Sequence, residues 1–312
     1  MYNETKKQAF LDFESKEKEK TQARLKEYIV EFTRSMYYED MWEKDLSDFS
    51  RQETIILLNN FLSSNVQTGK KRINIIRDYQ EWASNQDIIN WSKFPISKED
   101  LNFTTAIHKT IYPSINSFMQ ELKAGVPFDE GRYVVPLFCF AWIGIPYNKC
   151  SGILDQDVDL RNGLVNFQNN AIRIEDPEIL QIMRQYRNTS ISYRTQNRTF
   201  EVYPQLSPYF LRPMVTKNSK KKPHKISSSS IPSCLLQAKQ QAEMNLQRPV
   251  KLEYLNVYRS GQLLRVRKLE LSGFDVLSSK NKKIVHSYFD NRGDYYDQIF
   301  LYKKYKEAFD LT

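Results

Sequence analysis

The stretch FAWIGIPYNKCSGILDQDVDL, residues 140–160, decides how the chain reads. It begins as the apolar end of a helix and turns at Gly144-Ile145-Pro146. It then runs through a short second helix to Asp157-Val158-Asp159, where an extended segment starts. A glycine in a buried turn serves close packing or a positive φ, which other residues adopt only at a cost. The proline behind it offers neither a charge nor a backbone N–H. The question is what that position is built to hold.

On both sides of the turn the texture is helical with a small sheet. TAIHKTIYPSINSFMQEL (105–122) and GRYVVPLFCFAWIGI (131–145) have apolar helical faces. GLVNFQNNAIRIEDPEIL (163–180) switches to period two: a strand, a turn at Asn169-Asn170, a second strand, then Asp176-Pro177 opening a helix. RTFEVYPQLSPYFLRP (198–213) is extended, and VTKNSKKKPHKISSSS (215–230) is a basic loop.

The first hundred residues read as helices with short polar breaks. Leu25, Tyr28, Ile29, Phe32 and Met36 form one apolar stripe, with Lys26, Glu27, Glu31 and Arg34 opposite. Ser50 and Glu53 form a capping-box pattern ahead of the run Ile55–Leu58. A third helix is predicted to begin near Thr68, with Ile73, Ile76, Tyr79 and Trp82 facing inward. Lys70, Lys71, Arg72 and Arg77 lie at its start and along its other side, in a pattern that suits phosphate or a solvated face. Pro95 and its polar neighbours mark a linker.

The 312 residues suffice for two domains, and Lys+Arg 46 against Asp+Glu 37 gives a net charge of +9. Such an excess suits a nucleic-acid partner or a basic enzyme. Cys139, Cys150 and Cys234 are scattered and odd in number, which predicts reduced thiols and no zinc site. The N-terminal stretch has no signal-like apolar core, and no segment reaches the roughly 18 apolar residues of a membrane helix. A cytoplasmic protein without cofactor or metal is expected.

The helical first part with DLSDFSRQET and KKRINIIRDYQEWA, followed by WIGIPYNKCSGILDQDVDL, resembles the tyrosine recombinases of the phage integrase family. That resemblance implies a mainly α, two-domain fold. Residues 1–92 would be a helical SAM-like core-binding domain, 93–100 a linker, and 101–312 a catalytic-like, mostly helical domain with a small antiparallel sheet. Gly144-Ile145 match the family's Gly-Leu, and Asp157-Val158-Asp159 its strand start. Pro146 stands where the first catalytic arginine belongs. The second box, His-x-x-Arg at a helix start, aligns with KISSSSIPSCLLQA, where Ser229 replaces the histidine and Pro232 the arginine. The lysine of the family falls near Asn169 and Asn170 and is missing. Tyr295, Tyr296 and Tyr302 are the candidate remnants of the nucleophile.

In that family two arginines clamp the phosphate that a tyrosine attacks, because a guanidinium supplies a planar pair of donors that stays charged. Losing one such donor costs about 3–4 kcal/mol of transition-state stabilisation. The resemblance therefore implies a recombinase fold without its chemistry, of the kind seen in the repressors that maintain lysogeny in SPbeta-type phages of Bacillus. Duplex DNA operators would be its partners. Self-association through the C-terminal segment and an anti-repressor or co-regulator protein are further partners to consider, and no membrane is expected. The DNA-facing candidates are Lys70, Lys71, Arg72, Arg77, Lys149, Lys217, Lys220, Lys221, Lys222 and Lys225. The lysine-rich loop reads equally as a solvated segment. Two other classes compete: an active, atypical recombinase with Lys149 and Lys225 near the vacant positions, and an adaptor that docks on a true recombinase.

Overall fold

A computed structural model describes residues 3–86, 96–126, 133–168, 170–189, 191–195, 198–202, 207–213, 215–216, 225–227, 229–289 and 293–311. Pro95, Asn169, Lys217, Lys220, Lys221 and Lys222 lie outside the described residues. The chain forms two compact units. The first comprises residues 1–108 together with 293–312, and the second residues 109–292.

The first unit is helical: α1 (Glu4–Lys16), α2 (Gln22–Trp42), α3 (Arg51–Asn60), α4 (Val66–Gln86) and the start of α5 (Phe103–Thr110), closed by α12 (Tyr295–Ala308). Its centre is aromatic. Phe10 of α1 meets Tyr28, Tyr79 and Trp82 at ring distances of 4.9, 5.2 and 5.5 Å, in edge-on geometries that aromatic rings favour. The capping box of α3 forms as its sequence predicts, with Ser50 and Glu53 exchanging bonds. Helix α4 starts at Val66, two residues ahead of expectation, and buries Ile73, Ile76 and Tyr79.

Helix α2 departs from its sequence pattern. Ile29 is exposed, whereas Glu31 and Glu39 are buried. The reason is long-range pairing: the ammonium of Lys7 reaches both oxygens of Glu39, at 2.5 and 2.6 Å, and Nε of Arg72 reaches both oxygens of Glu31 at 2.9 Å. Buried charges persist only when paired in this way.

The expected boundary between domains also shifts. Residues 101–108 belong with the first unit, and so does α12, which the sequence reading placed in the second domain. Phe103 meets Phe300 edge-on at 5.4 Å, His108 meets Phe309 at 5.0 Å, and Phe300 and Leu301 pack against the first unit's core.

The second unit is built around α7 (Val134–Trp142), all nine residues of which are buried. A helix apolar on every side must be covered on every side. Here α8 (Pro177–Asn188), α9 (Ser230–Leu246) and α10 (Tyr254–Leu271) surround it, with α6 (Ile115–Gly125) packed on α9 and α11 (Lys282–Ser287) following α10. Two small antiparallel sheets complete the unit. One orders β1 (Val158–Asp159), β2 (Leu164–Phe167) and β3 (Asn170–Arg173), with Val158 opposite Val165 and Val165 opposite Ile172. The other orders β4 (Ile191–Thr195), β5 (Arg198–Val202) and β6 (Val215–Thr216). Pro177 opens α8 at its first turn, as Asp176-Pro177 predicts. No described helix is long and apolar enough to cross a membrane.

Candidate nucleic-acid interface

The turn at 144–146 is a glycine-terminated helix end. The N–H of Gly144 donates to the carbonyl of Ala141 at 3.0 Å, and that of Ile145 to Phe140 at 2.9 Å, with Gly144 at φ +93°. These paired bonds satisfy carbonyls that the end of α7 would leave orphaned. Ile145 is fully buried and supplies the apolar contact that accompanies such a motif. Pro146 comes next, at φ −65° and ψ 141°, and its carbonyl accepts from the N–H of Lys149 at 3.0 Å to begin the 3₁₀ segment Tyr147–Gly152. The bonds that shape the turn use the N–H groups of residues 144, 145 and 149, none of them at 146. The backbone there accommodates proline, since no bond of the turn needs an N–H at 146.

Gly144 is fixed twice. Its φ is in the left-handed region, and a Cβ would stand 2.6 Å from Nη2 of Arg265. Gly144→Glu is expected to cost at least the roughly 1–2 kcal/mol of left-handed backbone strain. Thermal melting checks this, and an unchanged melting temperature would contradict the turn as described.

Helix α10 backs the turn. The hydroxyl of Tyr254 donates to the carbonyl of Ile145 at 2.6 Å and lies 3.0 Å from Sγ of Cys150. Nη1 of Arg265 donates to the carbonyl of Trp142 at 2.6 Å, and burial lowers its pKa to about 10 against the pull of Glu175 and Asp176. Asp176 in turn accepts from Nε1 of Trp142 at 2.8 Å and from Lys268 at 2.7 Å, which ties the start of α8 to α7 and α10. Gly261 lets α10 approach so closely that a Cβ there would lie 2.0 Å from the carbonyl oxygen of Trp142.

This packing bears on the second sequence box. Ser229 and Pro232 are exposed at the start of α9, and the Ser229 hydroxyl engages that of Ser227. The hydrogen bonds to the turn from Tyr254 and Arg265 come from α10, whose opening turns carry Asn256-Val257-Tyr258-Arg259. An arginine three residues after Asn256 at a helix start has the spacing of the family's second box. Arg259 is half-buried, and desolvation lowers its pKa. Arg259 and Arg265 are the residues that sequence reasoning missed, although the Asn-x-x-Arg spacing was legible.

The tyrosine candidates sit in the first unit, on α12. Tyr295 and Tyr302 are buried there, and Tyr296 is exposed. Pro146 belongs to the second unit.

Of the basic candidates on α4, Lys71 and Arg77 are exposed, and with Asn74 they form a polar stripe at helical spacing. Lys71 pairs with Glu27. Arg72 is not on that face. It is 3% exposed and locked to Glu31, so its expected role as a DNA contact is corrected to a core ion pair. Lys70 is engaged by Asp297 at 2.6 Å. In the second unit Lys149 and Lys225 are exposed.

Residues 1–85 match the family of MrpR N-terminal core-binding domains. The match covers the helices α1 to α4, which carry the exposed Lys71 and Arg77 and the aromatic centre. Among solved structures, the crystal structure of XerA recombinase is similar with a TM-score of 0.40 and 13% sequence identity, over 98% of this chain and 96% of that one. So loose a likeness is silent on mechanism. No curated protein sequence matches the chain.

Proposed function

We propose that this protein binds duplex DNA at specific sites without cutting it, as a transcriptional repressor that maintains the lysogeny of a temperate phage. The observation that carries the reading is Pro146. In a turn whose hydrogen bonds use no N–H at 146, the residue that would clamp a phosphate is replaced by one with no donor at all. With the second box on α10, the second clamp arginine is Arg259 and its histidine is Asn256. One guanidinium without its mate still attracts a phosphate, but a bidentate pair on the transition state is gone. The match of residues 1–85 to the MrpR core-binding family and the net charge of +9 support a DNA partner.

Two measurements test the reading. A duplex nicked so that covalent intermediates accumulate should yield no protein–DNA adduct, even after hours. An adduct mapped to Tyr295, Tyr296 or Tyr302 would establish an active, atypical recombinase. Selection from sheared genomic DNA at rising salt should recover a discrete set of repeated intergenic sites. Recovery of bulk DNA that washes off steeply would reduce the basic faces to nonspecific charge and favour an adaptor role.

A further inference from the structure

Asp297 is the third residue of α12 and is buried. Its carboxylate receives Nζ of Lys70 at 2.6 Å and Nζ of Lys98 at 2.8 Å, and the side-chain amide of Gln67 donates to it. Gln67 and Lys70 project from the first turns of α4, and Lys98 from the 3₁₀ turn Lys98–Asp100. Burial alone would raise the pKa of Asp297, but the hydrogen bonds and charges of Lys70 and Lys98 hold it below the ordinary carboxylate range. The cluster carries two cations for one anion. Lys98 is 17% exposed beneath α12 and lies 4.7 Å from the centre of the Phe300 ring.

Two ammonium groups and an amide converging on one pair of oxygens form a donor set that fits a phosphodiester as well as a carboxylate, since both present two oxygens sharing one negative charge. The exposed Lys71 and Arg77 continue the positive line along α4 from this point.

We infer that Lys70, Lys98 and Gln67 form a binding site for a phosphate of the DNA backbone, and that Asp297 occupies it in the free protein as a built-in competitor. This rests on the DNA-binding reading above. Opening the site does not require α12 to leave. Asp297 lies in the first turn, where the side chain of Asp294 accepts from the N–H groups of Tyr296 and Asp297. Unwinding that turn withdraws the carboxylate and releases the buried Tyr295, while Phe300, Tyr302 and Tyr305 stay packed. The first turn of a helix is where such local opening is least costly.

The test is binding of a 30-base-pair duplex of arbitrary sequence to the full chain, followed by fluorescence anisotropy across a salt series. Asp297→Asn keeps the shape and removes the competing charge. It should bind about tenfold more tightly, within the usual range of such couplings. Adding Lys98→Gln to that variant should abolish the gain and flatten the dependence of log K on log salt by about 0.9. Equal or weaker binding by Asp297→Asn, with or without a lower melting temperature, would make Asp297 a structural pin and overturn the inference alone. Failure of the unaltered chain and every variant to bind the duplex at low salt would overturn the DNA-binding reading with it.

Discussion

Gly261→Ala should lower the melting temperature of the second unit by about 6–12 °C, the shift expected for about 3 kcal/mol in a unit of this size. The added methyl would stand 2.0 Å from the carbonyl oxygen of Trp142, 2.8 Å from its carbonyl carbon and 3.1 Å from its Cα. All three are backbone atoms at the end of α7, whose every residue is buried, so no flexible side chain is available to swing away. The two helices would have to part. In doing so they would strain the bond from Arg265 to Trp142 and the one from Tyr254 to Ile145, and so disturb the Pro146 turn itself. Gly152→Ala is the control, because nothing lies within 4 Å of a Cβ there. Differential scanning calorimetry of the two variants makes the comparison. Equal melting temperatures would mean that α7 and α10 do not touch as described.

Glu31→Ala should destabilise the first unit by about 3–5 kcal/mol, because it strands a buried guanidinium. Arg72 is 3% exposed and directs Nε at both oxygens of Glu31, while Arg34 reaches the same carboxylate at 2.5 Å. Replacing both members of the pair, Glu31→Leu with Arg72→Met, should recover most of that loss, since apolar residues of similar volume do not pay the desolvation of charge. Urea denaturation of the single and double variants measures the difference. The same pair separates structure from recognition. Arg77→Ala should reduce the slope of log K against log salt by about 0.9 for each phosphate it contacts, whereas Arg72→Met with Glu31→Leu should leave the slope unchanged.

Much of the local architecture was legible in the sequence because it rests on neighbours in the chain. The Ser50–Glu53 capping box, the proline at the start of α8, the hairpin of β2 and β3, and the glycine at 144 each follow from residues within a few positions of one another. What stayed hidden rests on distant partners. Arg72 reads as a surface cation because its acidic partner is 41 residues away on α2. Helix α12 reads as part of the second unit because the lysines that hold Asp297 precede it by 227 and 199 residues. The packing of α10 on the turn at 144–146, through Gly261 and Tyr254, likewise joins residues more than a hundred positions apart.

The return of α12 to the first unit has a consequence for synthesis. Domains near the start of a chain ordinarily fold while the rest is still being made. Here Phe103, Lys70 and Lys98 wait for partners encoded almost two hundred residues or more later. A ribosome that stalls anywhere within the second unit therefore carries a first unit with an open apolar flank and two uncompensated lysines. Exposed apolar surface of that kind is what makes incomplete chains prone to aggregate, and here it lasts until α12 is made.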